Sequence, residues 1–424
     1  MSKNNQRVVI TGIGVILPNA LNLTDFWTNM RDGISQIDYI TRFPTDNFPI
    51  KVAAELKNFN YKDFMPDLDE KRASHYNREI LSLMSALESA RKDARLEKDT
   101  IPPDRVGLVD SSSRCSIAWW DEMYKKYNET KDLSMFDRYT VLQSMASNPV
   151  TLAAINSNIQ GFVTNLSAAC VGGHHAISLC YQAVRKGRSD VMYASGHDFT
   201  ILQPVMSMYS DPIGRVMSLE KENPKAAIKP YDIKRDGFIL GEGAVALCIE
   251  KLDHALARGA NIYAELLGHL SYNEADHAMR MDLTGKKSSA GIRKLIRISD
   301  KSLDDVDYVC AHGTATHNND LAESRTMELL YSHKPKSKWP PLSSIKPIYG
   351  HTFGAAGIIN VAATALMIKN KTICPTINLT DPDPQCDFDH VAEGARKVDK
   401  LQFAISMAFS IGSQSSFVSL GALD

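Results

Sequence analysis

The sequence predicts an α/β protein made of two similar halves that pack as one body. Three observations lead there. Short β-branched runs alternate with segments of helical periodicity, the pattern of sheets covered by helices. At 424 residues the chain is longer than one hydrophobic core normally serves. A second series of elements, starting near Ala260, echoes the first with no low-complexity linker between them.

Taken in order, Arg7 to Gly14 (RVVITGIG) reads as a buried strand closed by a tight glycine turn. Its GxG suggests a dinucleotide fingerprint, but Leu17 stands where a third glycine is needed, and no acidic residue ends a following strand. Val106 to Asp110 is strand-like, and Gln160 to Asn165 leads into a glycine-rich helix start. Apolar residues at Ala176, Ile177, Cys180, Tyr181 and Val184 have helical spacing, Gly187 is placed to end that helix, and Asp190 to Ala194 follows as a strand. In the second series Ile262 to Gly268 corresponds to Arg7 to Gly14. Val306 to Ala311 precedes a polar loop as Val106 to Asp110 does, and Ile358 to Ile368 reads as a buried helix. The halves expected are residues 1–258 and 259–424.

A hydrophobic fraction of 44% and a charged fraction of 23% are those of an ordinary globular protein. The net charge of -1 argues against a nucleic-acid binder but leaves room for a local basic patch and an acidic protein partner. Seven scattered cysteines, odd in number and without a CxxC pair, read as reduced thiols. The N-terminal Met-Ser-Lys-Asn-Asn-Gln-Arg has no signal-peptide core, and no run is long and apolar enough for a membrane span. The expectation is a cytoplasmic protein with no membrane contact.

Three polar stations interrupt this frame. In the first, Asn165 to Ile177, Cys170 sits where a strand turns into a helix whose unpaired N–H groups favour a thiolate, and small neighbours would let an acyl group approach the sulfur. His174 and His175 read as packing or helix-surface residues. In the second, Cys310 to Glu323, His312 stands beside Thr314 and Thr316 with an acid downstream, and Asn318 to Asp320 could cap a helix from Leu321. In the third, Ser343 to Gly357, His351 follows Lys346 by five residues at a glycine-rich junction that lacks the GxxxxGK[ST] of a phosphate loop.

Together the stations resemble the β-ketoacyl-acyl carrier protein synthases of the thiolase superfamily. The family's cysteine elbow resembles LSAACVGGHHAI, its HGTxT resembles HGTAT, and its KxxxGHxxGAAG resembles KPIYGHTFGAAG. A fourth segment, GFILGEGA at Gly237 to Ala244, is similar too. The resemblance implies a thiolase-like five-layered αβαβα fold, usually dimeric. It makes Cys170 the nucleophile, His312 and His351 the pair facing it, and Lys346 the ordering lysine. Thr314 and Thr316 would contact the pantetheine arm. The implied reaction is acyl transfer to Cys170, decarboxylation of a malonyl extender, and Claisen attack of the enolate on the thioester. Substrates would arrive on the phosphopantetheine arm of acyl carrier protein, with no metal or redox cofactor.

Two departures stand out. Asn360 replaces a family glutamate and removes a candidate carboxylate partner for Lys346. The family's phenylalanine gate becomes Ala408-Phe-Ser-Ile-Gly-Ser-Gln-Ser415, with Phe409 or Ser410 at the gate. The Gln-Ser pair looks more like the ketosynthase subunits of type II polyketide synthases, which pair with a chain-length factor. The alternative is a homodimeric fatty-acid elongation synthase. A thiolase would need a second cysteine between Phe409 and Ser416, and a chain-length factor would lack Cys170. A metal site from Cys170, His312 and His351 is the remaining chemistry those donors allow. For the acidic carrier, Arg215 is the docking residue expected from position in the family, with Lys71 and Arg72 as secondary candidates.

Overall fold

The computed structural model describes residues 6–97, 100–279 and 281–423, so residues 1–5 of the N-terminal stretch read above lie outside it. Among the described residues ten strands join into one mixed sheet: β1 Val8–Ile16, β2 Val106–Ser111, β3 Val163–Leu166, β4 Val191–Asp198, β5 Gly243–Lys251, β6 Ala264–Asn273, β7 Tyr308–Cys310, β8 Leu342–Ser343, β9 Phe403–Ser410 and β10 Gln414–Gly421. Their spatial order is β8-β7-β9-β10-β6-β1-β5-β4-β2-β3. Two short hairpin-like pairs, Asp38–Tyr39 with Val52–Ala53 and Thr372–Ile373 with Arg396–Lys397, stand apart from it.

The order is a repeat. Each strand of the first five has a counterpart five places on, and the pairing senses agree: β1/β5 and β6/β10 antiparallel, β4/β5 and β9/β10 antiparallel, β2/β4 and β7/β9 parallel, β2/β3 and β7/β8 parallel. Six helices repeat likewise: α1 Arg78–Asp93, α2 Asn148–Asn156, α3 Gly172–Arg185, α4 Lys286–Ile298, α5 His317–Tyr331 and α6 Ala356–Asn370. The weak echo between the two sequence series is this repeat. β1 and β6 join the two five-stranded halves of the sheet through the short register from Val8↔Leu266 to Ile10↔Ala264.

Strand alternation produces the layers. On β5, Val245, Leu247 and Ile249 face α3 and α6, while Ala244, Ala246 and Cys248 face α1 and α2. In the other half, Ala404, Val418 and Leu420 face the same central helices, and Ile405, Met407, Phe409 and Phe417 face α4 and α5. The layers run α1/α2, sheet, α3/α6, sheet, α4/α5. Strands buried on both faces carry near-continuous apolar runs, which is why β5 lacks polar alternation. Among the described residues the one helical stretch long and apolar enough to cross a membrane, Phe353–Asn370, contains the core helix α6 and is 89% buried.

Two local expectations need correcting. β1 does not turn at its glycines but runs on to Ile16, because α1 lies across it. A Cβ on Gly12 would stand 2.2 Å from the Ala90 carbonyl, and one on Gly14 2.0 Å from that of Ala86. Nor do the glycines after Cys170 clear space for an acyl group. They let α3 and α6 touch backbone to backbone, a Gly173 Cβ falling 2.6 Å from Ile358 N and a Gly357 Cβ 2.7 Å from His174 N. Gly187 does follow the end of α3, at φ +68.

Candidate active site

The same strand–turn–helix unit builds two sides of one site. After β3, a 3-10 turn at Ala169–Val171 leads into α3, with Ala169 at φ 45. After β8, a turn at Phe353–Ala355 leads into α6, with Phe353 at φ 43. The first presents Cys170, partly exposed, and the second is preceded by His351, whose Nε2 lies 3.1 Å from Cys170 Sγ. The fourth sequence segment explains the position of His351. His351 N donates to Ile239 O at 2.7 Å, Gly241 N donates to His351 O at 3.1 Å, and the Phe238 ring meets the imidazole edge-on at 5.2 Å. Only glycine fits at 241, where a Cβ would be 1.9 Å from Tyr349 O.

His312 enters on the loop after β7. Its ring centroid is 5.4 Å from that of His351 at 82°. One donor atom from each of Cys170, His312 and His351 lies within 4.8 Å of the others, so the three stations meet at one point. Buried Lys346 donates through Nζ to the His312 carbonyl. The carboxylate that Asn360 fails to supply comes from Glu323 instead. Fully buried, Glu323 accepts from His312 N, Gly313 N and Asn319 Nδ2, each at 2.7 Å, and from Tyr231 OH at 3.1 Å. Burial pushes Glu323 up to about 7, Asp320 adds to this, and the hydrogen bonds and Lys346 pull it back. Burial lowers Lys346, and Glu323 is the first charge opposing that. Asn360 is used elsewhere in the core, where its Nδ2 donates to Ala311 O at 3.0 Å, which a glutamate carboxylate could not do.

Burial also decides the protonation state. It pushes the Cys170 thiol up to about 12, against the opposite pull of Lys346 and Arg114. It holds His312 and His351 well below 6.5, with Lys346 acting in the same sense. Burial thus works against the thiolate that the helix N-terminus favours. The same burial favours an uncharged imidazole on His351, whose Nε2 lies within reach of the thiol proton.

The other candidates fall as follows. Thr314 Oγ1 and Thr316 Oγ1 are hydrogen-bonded to each other at 2.9 Å beside His312. Thr316, not Asn318 to Asp320, occupies the cap position of α5. Asp320 is turned inward, accepting from Tyr231 N at 2.9 Å with Arg235 3.6 Å away. The Phe409 ring is buried 6.0 Å from that of His312, and Ser410 is at the hairpin between β9 and β10. His174 is wholly buried and hydrogen-bonded to Ser416 O and Ser406 Oγ, as a packing residue should be. Lys71 is exposed and Arg72 is engaged with Tyr76 OH at 2.9 Å. Arg215 is half-buried in a loop whose neighbour Val216 packs on the apolar cluster that Cys170 also touches.

Sequence reading missed Arg114, Asp198 and the buried group of Glu79, Asp110 and His197. His197 lies 2.9 Å from both Glu79 Oε1 and Asp110 Oδ2. Burial opposes its charge, yet Asp110, Cys115 and Glu79 raise its pKa well above the usual value. The available signal was a carboxylate on each of two otherwise apolar strands, Asp110 on β2 and Asp198 closing β4.

Comparison with known proteins agrees with this architecture. Residues 5–255 match the N-terminal domain of β-ketoacyl synthase and residues 263–380 its C-terminal domain. The chain is 32% identical over 410 residues, 96% of both proteins, to the 3-oxoacyl-[acyl-carrier-protein] synthase 2 of Staphylococcus aureus (strain COL). It is 31% identical over 425 residues, 98% of both, to a putative polyketide β-ketoacyl synthase 1 of Streptomyces halstedii. Among solved structures it resembles a ketosynthase in complex with its type II polyketide acyl-carrier protein, with TM-score 0.89 and 26% identity over 99% of this chain and 100% of that one. A β-ketoacyl synthase from Burkholderia phymatum STM815 gives TM-score 0.87 and 26% identity, with the same coverage. Matched from end to end by relatives of this kind, the chain belongs to the β-ketoacyl synthases, condensing enzymes of the thiolase superfamily.

Proposed function

We propose that Cys170 is the nucleophile and that the condensation runs on acyl groups delivered by acyl carrier protein. The observation that carries this is the 3.1 Å contact between Cys170 Sγ and His351 Nε2, with His312 alongside. In loading, the thiol proton passes to His351 as sulfur attacks the carrier thioester, and the same proton leaves on the pantetheine thiolate. The Cys170 N–H, at the turn into α3, is placed to receive the oxyanion. The malonyl group then loses carbon dioxide. The two neutral imidazoles donate to the enolate oxygen, and its carbon attacks the Cys170 thioester to release the thiolate. Lys346 and Glu323 hold the His312 loop, and Thr314 and Thr316, beside it, would contact the pantetheine arm. His351 thus serves both half-reactions and His312 the second.

The N-terminal half, 1–258, would supply the cysteine and the C-terminal half, 259–424, both histidines. The type II polyketide reading, with a chain-length factor as partner, is supported by the likeness to the carrier-bound ketosynthase and to the ishigamide ketosynthase/chain length factor (TM-score 0.88, 25% identity). The homodimeric fatty-acid reading is favoured by the Staphylococcus aureus relative. Either partner has a face to use. β3 ends the strand order half-exposed, beside exposed Phe162, and Trp120, Tyr124, Val141 and Met145 are exposed on the helical segments nearby in sequence. Arg215, Lys71 and Arg72 are the docking cations we assign to the acidic carrier. Free cysteines throughout fit a reducing, cytoplasmic setting.

Mass spectrometry after incubation with acyl-carrier protein should find the acyl mass on the Cys170 peptide. Label on another cysteine, with Cys170 free, refutes the assignment. His312→Ala should lose decarboxylation and keep loading, while His351→Ala should lose both. Sedimentation separates the partner readings: a homodimer active alone on long alkyl chains supports fatty-acid elongation, and dependence on a homologue lacking the cysteine supports the polyketide reading.

A further inference from the structure

The loop after β2 is the pseudo-equivalent of the loop after β7 that carries His312, so the repeat brings it to the same site from the other half. It holds Arg114. Two buried carboxylates clamp it on either side: Asp198 accepts from Ser112 Oγ and Ser113 Oγ at 3.0 Å and from Ser113 N, and Glu79 accepts from Ser116 N at 2.9 Å. Asp198 also accepts from Gly354 N at 2.6 Å, joining the loop to the turn that follows His351. His197 and Asp110 stand behind Glu79. Burying this many charged groups to fix a five-residue loop is costly unless the loop presents something.

What it presents is a cation on the ring that packs against His351, at the apolar cluster Cys170 also touches. The Arg114 guanidinium carbon lies 5.5 Å from the ring centroids of both Phe353 and Tyr209, and the Phe353 ring in turn packs on His351 at 5.0 Å. Phe353, Tyr209 and Cys170 share one apolar cluster. The guanidinium donates to Tyr209 OH at 2.6 Å, and among the described residues no carboxylate lies within ion-pair distance of it. Most of its five donors thus lack a protein acceptor and, on half-buried Arg114, stay open to solvent beside the two rings.

We propose that Arg114 sets acyl specificity, its guanidinium receiving an oxygen function, keto or carboxylate, on the chain that Cys170 carries, at the expense of plain alkyl chains. This rests on the assignment of Cys170 as the nucleophile. Oxygen acceptors along the chain would fill the unused donors, whereas an alkyl chain would leave the guanidinium desolvated and unpaired.

The test measures loading of Cys170 by intact-mass spectrometry with small thioesters of equal chain length: a hexanoyl chain, its keto analogue and a dicarboxylic half-thioester. The native enzyme should load at least one oxygenated chain about 10-fold or more faster than hexanoyl. Arg114→Met should abolish that preference by slowing the oxygenated chain while hexanoyl loads as fast or faster. Arg114→Lys should keep a carboxylate preference but lose a keto one, and it also serves if the Met variant folds poorly. Equal slowing of all three chains in Arg114→Met would reduce Arg114 to a support for the site, and absence of preference in the native enzyme would also overturn the proposal. No loading of any chain on native Cys170 would instead refute the nucleophile assignment.

Discussion

Replacing Gly173 with alanine tests whether the crossing of the two central helices sets Cys170 against His351. The new Cβ would lie 2.6 Å from Ile358 N, 3.0 Å from Gly357 Cα and 3.1 Å from Gly354 O. All three are backbone atoms, so no side chain can swing aside. Ordinary contact needs about 3.5 Å, so α3 and α6 must part by roughly 1 Å. Overpacking of this kind costs about 1–3 kcal/mol, and the better helix propensity of alanine returns up to about 1 kcal/mol. The net loss, about 1–2 kcal/mol, should lower Tm by a few degrees without unfolding the protein. Activity should suffer more. Cys170 sits on the turn that opens α3 and His351 just before the turn that opens α6. A displacement near 1 Å between reacting groups costs about 100-fold in rate. Calorimetry gives the first quantity and the rate of Cys170 acylation by a small thioester the second. Gly214→Ala, where a Cβ meets nothing within 4 Å, is the control and should leave both unchanged. A Gly173→Ala enzyme with native Tm and native acylation rate would refute the argument.

Three further outcomes are expected. Glu323→Gln weakens the cluster of N–H hydrogen bonds that Glu323 accepts and removes the first charge opposing the burial of Lys346, and should cost about 1–3 kcal/mol in urea unfolding; adding Lys346→Met should recover part of it, and strictly additive losses would show that the two are not coupled. His197 has a folded pKa raised well above its ordinary value. Its contribution is therefore complete below about pH 6.5 and drains as pH rises through the folded value. The Tm deficit of His197→Gln should accordingly be largest near pH 6 and shrink toward pH 9, and a deficit that grows with pH would contradict the sign. Arg215→Glu should raise KM for carrier-bound substrate and leave a small pantetheine thioester nearly unaffected, while equal losses on both would mean that half-buried Arg215 supports the fold.

The fold class and the family were legible because they depend on local pattern. Strands buried on both faces must be apolar, glycines are forced where helices cross backbone to backbone, and the polar stations interrupt runs that would otherwise be core. Those features survive in linear order, so LSAACVGG, HGTAT and KPIYGHTFGAAG stand out without coordinates. The reasons behind individual residues were less legible. The glycines of β1 and α3 read as a turn and as room for substrate, and only the helices lying across them show that they serve close packing. Asn360 read as a lost partner for Lys346, although a carboxylate is present in Glu323, which sits 23 residues before Lys346 in the chain and beside the His312 loop in space. The surroundings of Cys170 were hidden for the same reason. A helix start is visible in the sequence and favours a thiolate, but the burial of the sulfur, which opposes one, is not. Sequence by itself determined which groups are present and which short segments carry them. Only the tertiary structure decided which of them meet, how dry the meeting place is, and that Arg114 shares it, because burial and long-range contact are properties of the packed repeat and not of any segment within it.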